Sequence, residues 1–234
     1  MATADAPASH PIGRRERKKA ETRQRILSAA ARLFTSRGFE ATTIDEIAEH
    51  ADVSRGTFFN YYAEKSALMA ELGNGMTETF LDGLAAARGL DAPTVERLAA
   101  LFAGSASRLM ERRDLSRAVL LETVARRINL DDRRSHTAML HEGMELLLQD
   151  GVEAGDVRSD LPVSLLAEMV SGAYVEVLVS WLVADDYPLA ERLQMAAEVL
   201  GAALAPQAAK ADRRRSSTRA RSQRVSGRQR VPKR

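Results

Sequence analysis

Apolar residues recur every three or four positions along most of residues 21–205, the spacing that places them on one face of an α-helix. No segment shows the sustained alternation of apolar and polar residues that is typical of a strand. Glycines and prolines divide the pattern into separate runs. The sequence therefore predicts an all-α protein. Its longer helices are expected over residues 21–37, 64–88, 94–112, 115–128, 133–152, 163–184 and 189–205.

The charge of the chain is distributed unevenly, although the net charge of its 234 residues is only +2. Residues 1–70 carry a balance of +2, residues 71–205 a balance of −10 and residues 206–234 a balance of +10. Basic ends on an acidic body favour a polyanionic partner, although solvated tails that aid solubility are an alternative. Because both ends are poor in apolar residues, we expect a disordered basic arm over 1–18 and a disordered basic tail over 206–234. The tail could contact DNA or fold back on the acidic body.

The chain contains no cysteine, which excludes disulfides, cysteine-ligated metals and a cysteine nucleophile. No stretch of about 20 uncharged apolar residues is present, so we expect no membrane-spanning helix. The N-terminus lacks the apolar core of a signal peptide. These features fit a cytoplasmic protein.

Residues 43–62 carry the motif that most directly indicates a function. Thr43 and Glu46 have the spacing of a capping box that opens a short helix, and Ser54 opens a second one. A tight turn at 51–53 joins the two. This pattern predicts a helix-turn-helix, a unit whose second helix enters the major groove of DNA. The residues expected to face inward are Ile44, Ile47, Ala48, Val53, Phe58 and Tyr62.

The region from Ile26 to Leu68 resembles the DNA-binding domain of the TetR (tetracycline-repressor) family of bacterial regulators. At position 52 this chain has aspartate where the family usually has glycine, and aspartate tolerates the left-handed conformation that the turn needs. The matching motifs are Ile26-Leu-x-Ala-Ala-x-x-Leu-Phe, Arg37-Gly38-Phe39, Thr42-Thr43-Ile44-x-x-Ile47-Ala48, Val53-Ser54-x-Gly56-Thr57-Phe58-Phe59-x-Tyr61-Tyr62 and Lys65-x-x-Leu68.

The resemblance implies a homodimeric regulator that binds a double-stranded DNA operator and responds to an unknown small-molecule effector, without a cofactor or a metal. It implies action at the nucleoid, in the cytoplasm of a bacterium. The exposed face of the second short helix would read bases, and neighbouring residues would hold phosphates. The residues expected to contact DNA are Thr43, Ser54, Arg55, Thr57, Phe59, Asn60, Tyr61 and Lys65.

The resemblance also divides the chain into a DNA-binding domain over 19–66 and a helical effector-binding and dimerisation domain over 67–205. The expected pocket residues are Phe80, Phe102, Met110, Thr123, Arg127, His136, Met139, Leu140, Met144 and Tyr174. The apolar runs near the end of the second domain are expected to form a four-helix dimer contact. Its expected residues are Leu166, Val170, Ala173, Tyr174, Val177, Trp181, Leu193, Ala196, Val199 and Leu200.

An enzyme is a weaker interpretation, because the sequence lacks an H-E-x-x-H helix, a P-loop and a G-x-S-x-G elbow. A ligand-insensitive architectural DNA-binding protein is a second alternative, although the acidic body would repel DNA over most of the chain. A transcriptional activator of the same fold is a third. The interpretation that best fits the residues is a ligand-released repressor.

Overall fold

The computed structural model describes residues 13–126 and 136–207. Within these two ranges the chain forms nine α-helices and no strand, which confirms the all-α prediction. The helices are α1 Arg14–Arg37, α2 Ile44–His50, α3 Arg55–Phe59, α4 Lys65–Arg88, α5 Thr94–Glu111, α6 Arg113–Arg126, α7 His136–Ala154, α8 Val163–Val183 and α9 Leu189–Leu204.

The first helix begins earlier than the sequence predicts. Residues 14–18, assigned above to a disordered arm, form the first turns of α1. Their basic side chains are exposed, and the helix gains its apolar contacts only from Ile26 onward. Gly38 ends α1 in a left-handed conformation with φ 82°, and its N–H donates to the carbonyl of Phe34 over 3.0 Å. The tail from residue 208 onward and residues 1–12 of the arm lie outside the described residues.

The apolar side chains form two cores. The smaller core is formed by α1, α2, α3 and the beginning of α4. It is centred on the fully buried residues Ile26, Ile47, Phe58 and Leu68. Val119 of α6 is also buried in this core, so the larger body of the protein reaches into the N-terminal unit. The larger core is built from α4, α5, α7, α8 and α9. The division of the chain into two domains, with its limits, stays a prediction.

Helix α8 is the most apolar of the described helices, and its length and composition alone would allow it to cross a membrane. This helix was not expected from the sequence to be long and apolar enough, since the charged residue Glu176 interrupts the apolar run. Seven residues of α8 are nevertheless buried within the subunit, and Trp181 is 0% exposed. We therefore interpret α8 as a core helix that also presents an apolar outer face.

Candidate DNA-binding surface and ligand cavity

The local geometry of the helix-turn-helix is set by short-range hydrogen bonds. The Thr43 hydroxyl accepts from the Glu46 N–H over 3.2 Å, and the Thr43 N–H donates to the Glu46 carboxylate over 2.9 Å. These bonds confirm the predicted capping box, and the backbone N–H of Thr43 holds the pKa of Glu46 below its ordinary value. Asp52 takes the left-handed conformation expected of it, with φ 52°. Ser54 then caps α3 by accepting from the N–H of Thr57 over 3.0 Å.

Helix α3 presents an exposed face made of Arg55 and Phe59, which Asn60 continues just beyond the end of the helix. The opposite side is anchored by Phe58, which is fully buried. Thr57 is partly buried, and its hydroxyl pairs with that of Ser54 over 2.8 Å. The fold therefore brings the candidate base-reading residues together on one surface, where their contacts with DNA stay predictions. Two further candidates, the exposed Thr43 and the partly buried Tyr61, flank this surface.

Arg55 is already paired in this structure. Its Nη1 atom lies 2.5 Å and 2.6 Å from the two carboxylate oxygens of Asp45 on α2, and its guanidinium stands over the ring of Phe59. Both side chains of the ion pair are more than half exposed. The pair orients Arg55, and an operator base or phosphate would have to compete with Asp45 for it.

Lys65 has hydrogen-bond partners that were not predicted from the sequence. Its ammonium donates to the backbone carbonyls of Phe39, Thr42 and Glu40, at 2.5, 2.9 and 3.3 Å. An ammonium has three donors, so these carbonyls use all of them. The side chain is partly buried. Lys65 therefore links α4 to the loop that follows α1, and its contact with a DNA phosphate stays a prediction.

A cavity of about 430 Å³ lies between the two cores. Its walls are mostly apolar and come from α1, α4, α5, α6, α7 and α8. Three of the ten predicted pocket residues, Phe80, Leu140 and Tyr174, line it. Its other lining residues include Leu27, Leu72, Met76, Ser105, Arg108, Leu109, Leu115, Ser116, Val119, Leu120, Val175, Leu178, Val179 and Leu182.

Four other predicted pocket residues do not line the cavity. Phe102 and Met144 are buried in the larger core, because the same helical spacing serves core and cavity alike. Met110 and Met139 are exposed apolar side chains that do not line the cavity. These four assignments are therefore corrected. Arg127, and the side chains of Thr123 and His136, lie outside the described residues.

Two polar residues of the cavity, Ser105 and Arg108, were not predicted from the sequence. The hydroxyls of Ser105 and Tyr174 are buried and lie 2.5 Å apart. Burial raises the pKa of Tyr174 to about 12, so its hydroxyl stays protonated at neutral pH. Arg108 lines the cavity one turn along α5 from Ser105, and no described residue accepts a hydrogen bond from it. Polar residues at 105 and 108, on the face of α5 that also carries Leu101, were the available signal.

The cavity also contacts the N-terminal unit. Leu27 of α1 lines it, and Val119 of α6 both lines it and belongs to the smaller core. Glu71, another lining residue, accepts hydrogen bonds of 2.9 and 2.7 Å from Arg23 of α1. Burial opposes ionisation of Glu71, but the hydrogen bonds from Arg23 hold its pKa below the ordinary value. A molecule in the cavity would therefore touch residues that position the helix-turn-helix.

The predicted dimer residues fall into two groups. Leu166, Val170, Tyr174, Trp181, Leu193 and Leu200 are buried within one subunit, so they present no surface to a partner, and their assignment is corrected. Periodicity shows that a helix has two apolar faces but not which face turns outward. Ala173, Val177 and Ala196 are partly buried, and Val199 is 70% exposed. The outward apolar residues of α8 and α9 also include Leu165, Met169, Val183 and Met195.

Comparisons with known proteins agree with this geometry. Residues 26–72 match the bacterial regulatory proteins of the tetR family. The probable HTH-type transcriptional regulator ArpR of Pseudomonas putida is 31% identical over 192 residues, which cover 75% of this chain and 87% of ArpR. The chain belongs to the TetR family. It is therefore a DNA-binding transcription regulator, and the family consists of regulators rather than enzymes.

Two further relatives in the TetR family are repressors by name. The HTH-type transcriptional repressor KstR2 of Mycobacterium tuberculosis is 30% identical over 157 residues, covering 63% of this chain and 75% of KstR2. The crystal structure of Thermus thermophilus FadR, a TetR-family repressor in complex with lauroyl-CoA, superposes with a TM-score of 0.58 and 30% identity. That match covers 76% of this chain and 92% of FadR.

Proposed function

We propose that this TetR-family regulator is a homodimeric repressor that leaves its operator when a small molecule with a largely apolar body enters the cavity. It would act at the nucleoid in the bacterial cytoplasm. KstR2 and Thermus FadR, each 30% identical, are both named repressors, and FadR was solved with lauroyl-CoA. An apolar cavity of about 430 Å³ has the size and lining of a small-molecule site.

The observation that carries the proposal is the position of Val119. This residue is 1% exposed, packs in the core of the helix-turn-helix unit and lines the cavity. A ligand can shift a conformational equilibrium only if it binds one arrangement better than the other. Because α6 contributes to the cavity and packs on α1 and α4, a ligand that moves α6 changes the packing of α1, on which α2 rests. Binding in the cavity and binding to DNA are then linked.

Dimerisation is supported by the outer surface of α8 and α9. Met169 is 53% exposed and Val199 is 70% exposed, and both are apolar residues that a monomer would leave in water. Covering this surface with a second copy would pair the two helices of each subunit in a four-helix contact. Two-fold symmetry then predicts a near-palindromic operator with half-sites about 34–36 Å apart.

The proposal is tested with an operator selected from random DNA and labelled for fluorescence anisotropy. We expect lauroyl-CoA or a compound from a panel of apolar ligands to release the wild-type protein. Leu120→Trp fills the cavity, because Leu120 lines it, and should leave operator binding intact while abolishing release. Leu121→Trp is the matched control, since Leu121 is 58% exposed and does not line the cavity. Release that is equal in both variants, or absent for every compound with the wild type, contradicts ligand control through this cavity.

A further inference from the structure

Arg108 is a cation in a cavity whose walls are mostly apolar. Its Nη2 atom is buried and has no hydrogen-bond partner, and no described carboxylate lies within ion-pair distance of it. Buried charged groups are usually paired, because removing them from water is costly. An arginine in such a position is explained if a ligand supplies its partner.

The space for Arg108 is made by two glycines. A Cβ atom at position 83 of α4 would collide with Nη2, and one at position 104 of α5 would lie 3.4 Å from Nη1. Glycine costs about 1 kcal/mol relative to alanine in a helix interior. Each of the two helices α4 and α5 therefore carries a glycine that leaves room for this guanidinium.

The other charged residues that line the cavity are less suited to bind an anion. Glu71 is already paired with Arg23, and both Glu111 and Arg112 are exposed at the end of α5. Ser105 and Tyr174 provide a neutral hydroxyl pair on the same side of α5 as Arg108. The rest of the lining is dominated by leucine, valine, methionine and phenylalanine.

We propose that the cavity binds a carboxylate-bearing amphiphile, with its carboxylate on Arg108 and its hydrocarbon chain along the apolar walls. This inference rests on the proposed function and names the class of its effector. A carboxylate matches the fork of a guanidinium and accepts two parallel hydrogen bonds from it. A neutral ligand of the same length would leave Arg108 unpaired and would bind more weakly.

The test is direct binding to the full-length protein without DNA. Decanoate and 1-decanol are compared below their aggregation limits, by calorimetry and by the fluorescence of Trp181, the single tryptophan of the chain. We expect decanoate to bind at least about tenfold more tightly than 1-decanol, which corresponds to about 1.4 kcal/mol. Equal affinities, or no binding of decanoate, overturn the assignment.

Variants locate the carboxylate. Arg108→Gln removes the charge and should lower decanoate affinity at least about tenfold while leaving 1-decanol unchanged. Arg32→Gln makes the same change at an exposed position of α1 that does not line the cavity, and it should leave both affinities unchanged. Unchanged decanoate binding in Arg108→Gln, or an equal loss in Arg32→Gln, contradicts the proposal. Far-UV circular dichroism of each variant separates a binding defect from unfolding.

Lauroyl-CoA distinguishes a free acid from a thioester. The thioester carbonyl carries no charge, so wild-type affinity for lauroyl-CoA more than tenfold above that for laurate, the free acid of the same chain length, overturns a carboxylate ligand. The proposed function has a separate readout, because it requires only that some compound releases DNA. If a neutral apolar compound releases DNA and decanoate does not bind, the carboxylate assignment fails and ligand control stands.

Discussion

The Nζ atom of Lys65 donates a hydrogen bond of 2.5 Å to the carbonyl oxygen of Phe39 and lies 4.4 Å from the centroid of the Phe39 ring. The same ammonium also bonds the carbonyls of Glu40 and Thr42, so one side chain closes the loop between α1 and α2. A lysine that the sequence suggests for DNA binding thus supports the unit that carries the reading helix.

Replacing Lys65 by methionine should therefore reduce the stability of the protein more than it reduces the affinity for DNA. Three carbonyls lose a charged donor, and we expect the free energy of unfolding to fall by about 1–3 kcal/mol. Urea unfolding followed by circular dichroism measures this change. Lys19→Met, at an exposed position of α1, is the control and should have little effect. Unchanged stability together with a salt slope shallower by about one unit would restore the phosphate contact.

The ion pair between Arg55 and Asp45 predicts a specific pattern of couplings. Arg55→Ala should cost about 1–3 kcal/mol at the operator and relax the preference at one base pair. Asp45→Asn releases Arg55 from its partner and should tighten operator binding by about 0.2–1 kcal/mol, the range for exposed pairs. Anisotropy titrations of the single and double variants form a double-mutant cycle. If Asp45→Asn tightens binding equally in the presence of Arg55→Ala, the two residues are not coupled.

The helix-turn-helix could be predicted from sequence because its signals are local. Thr43 and Glu46 are three residues apart, and Asp52 takes the turn conformation by its own chemistry. The role of Lys65 could not be predicted, because its acceptors are backbone carbonyls 23 to 26 residues away. Backbone acceptors leave no side-chain pattern in a sequence.

The cavity was harder to predict for a related reason. Phe80 and Phe102 have the same residue type and both contact the ring of Tyr174, yet one lines the cavity and the other fills the core. Periodicity assigns a face to a helix but not the distance to the next helix. Gly104, one turn before Arg108, was a usable sign that a large side chain needed room there.

The outer face of α8 and α9 predicts a dimer that can be broken without unfolding the subunit. Met169→Glu together with Val199→Glu places charge on exposed apolar positions, so sedimentation velocity should show a folded monomer. Operator affinity should fall, because each subunit then binds one half-site alone. Leu90→Glu with Leu121→Glu changes exposed leucines outside this face and should leave the dimer intact.

A charged substitution on the buried side of α8 should have a different effect from one on its outer face. Trp181→Arg, at a residue that is 0% exposed, should unfold the subunit rather than yield a monomer. Circular dichroism distinguishes the two outcomes. A folded dimer that persists in Met169→Glu with Val199→Glu would show that α8 and α9 do not form the contact.

The ion pair between Arg88 of α4 and Asp150 of α7 predicts how stability depends on pH. Arg88 donates to both carboxylate oxygens, at 2.7 and 3.0 Å, and these bonds hold the pKa of Asp150 below 3.8. A lowered pKa stabilises the folded state fully above 3.8, and this contribution is lost as the pH falls through the lower folded value. Asp150→Asn should therefore cost about 1 kcal/mol at neutral pH, since the pair is about a third exposed.

Urea unfolding of wild type and Asp150→Asn across a series of pH values measures this dependence. The difference in unfolding free energy between the two proteins should shrink below pH 3.8, where protonation removes the charge of Asp150 in the wild type as well. Asp82→Asn, at an exposed position of α4, is the control and should change the free energy of unfolding little. A difference that stays constant down to acid unfolding would mean that Asp150 acts through packing, because packing of an isosteric amide does not titrate.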